Sequence, residues 1–280
     1  NVGGFLGRVG SSGFDASDCY WDTETSGQAS SARGTGLTTA QMLQRSSFAG
    51  YNFFTLWQID EGADYPVFQN LSAHAPPAAL TTDDLAGDGL EVSPYLIGNA
   101  DELNVMRQAR SAHYRLTNDI DLAASVTWNV GQGWEPVGAS SSSSFSGTLD
   151  GAGFVIRNLT VNRPGSSYQG LFGYLSNATV QNLRLEHASV QGGNYTGGLA
   201  GYASSVARID NVRVDGQVSG GDYTGGALGY MSYGLAENIA SACTVRGGNR
   251  VGGFAGQTHY NAAVRRAFVL GTVSGGSSVG

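Results

Sequence analysis

Lysine is missing altogether: all 15 basic residues are arginine. Charge of either sign is scarce, at 13% of residues against a typical ~25%. That scarcity excludes charge-driven disorder and the charge-laced helices of a coiled coil. With a formal net charge of -7, the chain lacks the basic surface that nucleic acid requires. The two cysteines, Cys19 and Cys243, are too few for a disulfide scaffold and too far apart for a zinc site. They are expected to be separate buried thiols. No apolar run reaches the roughly 18 residues of a transmembrane helix, so no membrane insertion is expected. No Met and no leader opens the chain; both ends fall within patterned sequence, as in a segment of something longer. Equally absent are a His-Glu-x-x-His pair, a Gly-x-Ser-x-Gly elbow, a P-loop and an EF-hand loop.

Glycine is abundant, with 43 residues in 280, and it recurs with a period. Gly170-Leu171-Phe172-Gly173 is followed by Gly198-Leu199-Ala200-Gly201, Gly226-Ala227-Leu228-Gly229 and Gly253-Phe254-Ala255-Gly256, at spacings of 28, 28 and 27 residues. Asn182-Leu183, Asn211-Val212 and Asn238-Ile239 precede the last three anchors at matching intervals. Apolar and polar residues then alternate (Leu183-Arg184-Leu185, Val212-Arg213-Val214), as in a half-buried strand. The Gly pairs 192–193, 220–221 and 247–248 mark turns. Self-similarity at this period predicts a solenoid whose coils bury their inner faces against one another. The expected fold is all-β, a right-handed parallel β-helix with ~28-residue coils and short helical caps.

Val2-Gly3-Gly4-Phe5-Leu6-Gly7 supplies the anchor missing after the last strand-like piece, Ala267–Gly276. Joining Gly280 to Asn1 would place it close to one period beyond Gly253. The chain thus reads as a circular permutation of one full unit. Either such units follow one another in a longer polypeptide, or separate subunits stack across the seam.

The anchors resemble GLUG-motif repeats of large bacterial surface proteins and adhesins. Tyr95-Leu96-Ile97, Ala100–Leu103, Tyr114–Leu122, Trp134-Glu135-Pro136-Val137-Gly138, Phe145–Gly151 and Val155–Leu159 resemble the opening of such a unit. Cys19–Thr23, Gly36–Met42 and Trp57–Gly62 resemble its close. The resemblance implies a β-helical architecture, extracellular placement and no common enzymatic activity.

Three segments follow. Residues 1–70 hold a terminal coil (1–31) and a closing cap. In that cap, Thr38-x-x-Gln41 is a capping-box pattern, and Phe53, Phe54, Leu56 and Trp57 are expected to plug the coil stack. Residues 71–93, with Ala75-Pro76-Pro77, read as a linker. Residues 94–280 form a second solenoid with its opening cap, where Asn99-x-x-Glu102 is a second capping box and Leu103, Val105, Met106 and Ala109 form an apolar stripe.

Chemistry-bearing candidates are few. His74, His113, His187 and His259 stand far apart and read as surface or packing residues. Polysaccharide cleavage would need clustered acids; Asp210 and Asp215 with Arg208 and Arg213 come nearest, but no acid column forms across coils, and the chain is not expected to be an enzyme. No resident cofactor or metal is expected. If a metal binds, calcium is the candidate, through Asp119 and Asp121 or through Asp83, Asp84 and Asp88; the first pair also suits a cap hydrogen-bond network. Arg265-Arg266 reads as solvent-exposed. Tyr195, Tyr223 and Tyr230 recur near turns, either stacked coil on coil or available to a ligand. Asn182, Asn211 and Asn238 are expected to form an internal amide ladder.

The expected function is a structural repeat unit of an extracellular bacterial filament or giant surface adhesin, partnered head to tail by copies of itself. A carbohydrate- or receptor-binding adhesin module contacting surface glycans is the alternative. A polysaccharide-degrading β-helix enzyme and an accessory region of a surface peptidase rank lower.

Overall fold

A computed structural model describes residues 18–51, 53, 57–68 and 80–280. The chain divides into two compact units, Asn1–Pro76 and Pro77–Gly280. The expected anchor at 2–7 lies outside the described residues, as does His74.

In the first unit, strand Tyr20–Asp22 pairs in parallel with Thr35–Leu37, and Trp57–Gln58 pairs antiparallel with Val67–Phe68. The capping box forms as read: Thr38 Oγ1 accepts from the Gln41 backbone N–H at 3.2 Å, and Gln41 Oε1 accepts from the Thr38 N–H at 2.9 Å. It starts the short helix Thr39–Met42. Tyr20, Phe48, Tyr51, Phe53 and Trp57 cluster, with Tyr51 and Trp57 stacked at 4.3 Å. Phe54 and Leu56, expected in the same plug, lie outside the described residues.

The second unit is a parallel β-solenoid of about five turns. Within the stretch expected as a linker, residues 71–79 lie outside the described residues. Residues 80–93 carry a 3₁₀ turn, Thr82–Asp84, and bury Leu85 in the core. The cap helix Ala100–Val105 starts at Asn99, whose Oδ1 accepts from the Asp101 and Glu102 N–H groups. The expected reciprocal bond shifts by one residue: Glu102 Oε2 accepts from Gly98 N–H at 2.6 Å rather than from Asn99. Leu103, Val105 and Met106 point into the core at 2% exposure or less. They cover the first coil and shield its apolar end from water.

Each regular coil has three sides. The longest side is a sheet running from Tyr95–Ile97 through His113–Leu116 and Thr148–Asp150 to Thr179–Gln191, Arg208–Ser219, Leu235–Arg246 and Ala263–Val269. Phe172–Ser176, Ala200–Ser204, Leu228–Ser232 and Ala255–His259 form the anchor side. Thr196–Gly197, Thr224–Gly225, Asn249–Gly252 and Ser277–Val279 form the third. Pairing along all three sides is parallel, and the anchors fall in register: Phe172 with Ala200, Ala200 with Leu228, Leu228 with Ala255. Leu175, Leu185, Leu199, Val214, Leu228 and Met231 fill the interior with no exposed surface.

The second glycine of each anchor is required by close approach. A Cβ on Gly229 would sit 2.5–2.7 Å from backbone atoms of Gly201, Thr196 and Tyr195, and one on Gly256 would meet Thr224, Tyr223 and Arg250 equally closely. In the last regular coil the apolar residues lose their cover. Phe254 is half-buried rather than fully in the core, and Phe268, Val269 and Leu270 are 56%, 42% and 61% exposed.

Candidate functional site

The tyrosines form two columns, not one. Tyr168, Tyr195 and Tyr223 occupy the corner before the third side, each with φ near +60°. Their rings stack at 5.1 Å and 4.6 Å, within 8° of parallel. Tyr174, Tyr202 and Tyr230 follow the second anchor glycine and stack at 4.6 Å and 4.8 Å. Edge contacts of 5.5–6.2 Å tie the columns together. The sequence reading paired Tyr195 with Tyr223 correctly but grouped Tyr230 with them; Tyr230 belongs to the second column. The 28-residue recurrence of a Gly-Tyr step (173–174, 201–202, 229–230) was the missed signal. A left-handed conformation is costly for a non-glycine residue, and stacking contributes about 0.5–1.5 kcal/mol per pair beyond area burial. Stacking consumes the faces between neighbouring rings, and Arg250 covers the remaining Tyr223 face at 4.9 Å, so the columns form a spine joining the coils. Desolvation pushes the Tyr230 phenol up to about 12, with Tyr202, Tyr260, Tyr223 and Tyr195 adding to the shift.

The asparagine ladder exists but lies outside. Asn182 is half-buried, and Asn211 and Asn238 are exposed; all three have φ between 53° and 56°. Asn tolerates the left-handed region better than other side-bearing residues, and here it bends the long strand outward at each coil. Asn182 Nδ2 donates to Asp150 Oδ1, and Asn211 Nδ2 donates to Asn182 Oδ1, both at 3.0 Å. The ladder then steps sideways: Asn238 donates to Asp210 Oδ1 at 2.8 Å. Asn211 Oδ1 therefore has no donor among the described residues. Arg266 continues the column, donating to Asn238 Oδ1 at 2.7 Å and pairing with Glu237. Arg265 beside it is exposed.

At this bend a groove of about 570 Å³ runs across neighbouring coils, lined by Asn182, Asn211, Asn238, Arg184, Arg213 and Arg266 among others. Its size is within the ~300–1,000 Å³ of small-molecule sites. Arg184 and Arg213 are register partners on neighbouring coils, so two like charges lie side by side. Both are 52% exposed, with only loose pairing to Glu186 at 3.9 Å and Asp215 at 3.7 Å.

The candidate acids are bound elsewhere. Asp210 Oδ2 accepts from Arg208 at 2.8 Å. The Asn238 and Arg208 hydrogen bonds hold its carboxyl below the usual carboxylate range. Asp215 accepts from the His187 N–H at 2.9 Å. Positive φ at Asn211 breaks the two-residue alternation, so both acids lie on the outer side while Ile209, Val212 and Val214 are buried. Each is held by its own partner, Asp210 by Arg208 and Asp215 by the His187 N–H. Register does bring Asp210 beside Glu237, a pairing the sequence reading missed, and each of these two carboxylates is matched by its own arginine.

Asp119 Oδ1 accepts from the Val155 N–H and pairs with Arg157 at 3.0 Å. Asp121 accepts from the Ala123 N–H and from Asn158. Asp84 caps its own 3₁₀ turn. The described residues hold no group of three His, Cys, Asp or Glu side chains arranged for a metal. His113 is half-buried in a strand, while His187 and His259 are exposed. Cys243 is fully buried with its thiol pushed up to about 11 by desolvation; Cys19 is half-buried rather than buried. No described helix is long and apolar enough to cross a membrane.

No protein-family model matches the chain. It is 35% identical over 186 residues to Halomucin of Haloquadratum walsbyi, covering 64% of this chain and 2% of that protein. It is 37% identical over 134 residues to the "Putative Gly-rich membrane protein" of Evansella cellulosilytica, covering 46% of this chain and 15% of that one. The chain thus spans only a small part of both relatives. A solved structure described as a "putative immunoglobulin A1 protease from Bacteroides ovatus" aligns at TM-score 0.35 and 18% identity, over 65% of this chain and 76% of that one.

Proposed function

We propose that the chain is a structural repeat unit of a surface-exposed bacterial or similar cell-envelope polymer, built from GLUG-like coils and extended head to tail by further copies. The observation that carries this reading is the one-dimensional construction of the second unit. Backbone, tyrosine and asparagine columns all run along one axis, and each coil is completed only by the next. Val269, in the inward column of Leu185, Val214 and Ser241, is 42% exposed at the end of that series, where another coil would bury it. The small shares of both relatives that the chain spans fit a module of a long polypeptide, and the second relative's description as a membrane protein fits a surface location.

In this role the work is mechanical: load passes along parallel backbone ladders, and the outer face carries few charges. The test is antibody labelling of intact source cells, followed by protease shaving. Labelling before lysis and release by protease is expected; an epitope reached only after lysis would overturn the surface reading.

A further inference from the structure

We propose that the groove along the asparagine bend is a binding site for a linear acidic polysaccharide, one that carries both carboxylates and hydroxyls. This goes beyond the structural role and does not depend on it. Two features of the groove call for a ligand, one for an anion and one for a hydroxyl donor. Arg184 and Arg213 lie in register across a parallel pair, at the ~4.8 Å strand spacing, and their acids stand 3.9 Å and 3.7 Å away. A carboxylate between the two guanidiniums relieves the like-charge contact and gains paired, charge-assisted hydrogen bonds. The second feature is Asn211 Oδ1, which the sideways step of Asn238 toward Asp210 leaves without a donor among the described residues. It accepts from a ligand hydroxyl.

The form of the ligand follows from the groove. Its asparagines recur over three coils (Asn182, Asn211, Asn238) and its arginines over two (Arg184, Arg213) along the axis, so a ligand that is itself linear meets them in turn. Phe268, 56% exposed, lines one end and supplies an aromatic ring for apolar contact with a sugar. A peptide is the poorer match. The strands Thr179–Gln191, Arg208–Ser219 and Leu235–Arg246 that line the groove are paired on both edges, so no free backbone edge is available for strand addition.

The experiment is calorimetric titration of the 280-residue chain with a galacturonate hexamer, with maltohexaose and poly-L-glutamate as comparison probes. The expected result is binding of the galacturonate hexamer that weakens as salt rises, with maltohexaose much weaker. The Arg184→Gln/Arg213→Gln variant should lose roughly tenfold or more in affinity while melting no lower than the parent, since a like-charge contact is removed. Asn211→Asp, which adds a negative charge to the groove floor, should weaken binding too. Arg246→Gln, an exposed arginine at the far end of its strand, should not. No binding of the galacturonate hexamer, equal binding of maltohexaose, or an Arg184→Gln/Arg213→Gln variant that binds as tightly as the parent would overturn the proposal. Tighter binding of poly-L-glutamate would also overturn it, reassigning the groove to an acidic peptide.

Discussion

Replacing Gly229 by Ala tests why the anchors contain glycine. The added Cβ would lie 2.5 Å from the Gly201 carbonyl oxygen, 2.6 Å from the Thr196 nitrogen and 2.7 Å from the Tyr195 carbonyl carbon. Ordinary contacts lie at 3.4–4 Å, so the neighbouring coil must retreat by about 1 Å. All three atoms are backbone, so no rotamer change can absorb the shift. Gly229 does not occupy the left-handed region, and Gly→Ala at a compatible position would by itself stabilise by about 0.4–1 kcal/mol through the unfolded state. Overpacking typically costs about 1–3 kcal/mol, occasionally more. Here it acts on a rigid ladder and on the tyrosine corner together, which places the net loss near 2–3 kcal/mol. For a unit of this size, about 2–4 °C of Tm is lost per kcal/mol, so melting should fall by roughly 4–12 °C. Gly165→Ala is the matched control, because no atom lies within 4 Å of its Cβ position; it should melt at or slightly above the parent. Thermal circular dichroism reads both. A Gly229→Ala protein that melts with the parent, or a Gly165→Ala protein that falls as far, refutes the close-approach account.

Other outcomes follow from the same structure. Phe172 has no exposed surface, so Phe172→Asp should cost at least about 4 kcal/mol in urea unfolding, whereas Phe254→Asp at the half-buried site should cost distinctly less; equal losses would contradict the burial gradient. Desolvation by burial pushes the Tyr230 phenol from an ordinary 10.0 up to about 12. The neutral phenol is the form the fold favours, so its contribution to stability is complete below pH 10 and disappears as pH rises from 10 toward 12, as a spectrophotometric titration with a parallel unfolding series should show. Asp22 is governed by the opposite sign. Partial desolvation works upward but is outweighed by hydrogen bonds from the Thr25 and Glu24 N–H groups and the Tyr65 and Thr39 hydroxyls, which hold the carboxyl at about 2. Its contribution is present above pH 3.8 and is lost toward pH 2, and Tyr65→Phe should raise its NMR-measured titration point. Cys243 should resist alkylation at pH 8 until the chain unfolds; rapid modification in the native state would contradict its burial.

The period, the anchors and the Thr38 and Asn99 caps were legible because each leaves a local chemical mark. Glycine recurs where backbones touch, and Ser, Thr or Asn stands where a helix needs an acceptor. The asparagines were visible as a column but were placed on the wrong side. Recurrence shows that residues stack, whereas burial depends on whether the strand bends, and the bend comes from positive φ at Asn182, Asn211 and Asn238. Beyond the bend the two-residue alternation holds, and Arg213 and Asp215 share the outer face at 3.7 Å. Tyr230 was misgrouped because proximity to a turn was weighed above its register with Tyr202. The groove could not be read at all, since a concave surface arises from three coils bending together. Only the 29-residue step from Arg184 to Arg213, matching Asn182 to Asn211, hinted at it.

The native mass of the protein released from its source surface, measured by sedimentation without denaturant, tests the central claim most directly. The account predicts a particle many times 29.0 kDa, whether the copies are covalently linked or stacked. Repeating the measurement under full denaturation then separates those two cases. A native particle of 29.0 kDa would contradict the repeat-unit account.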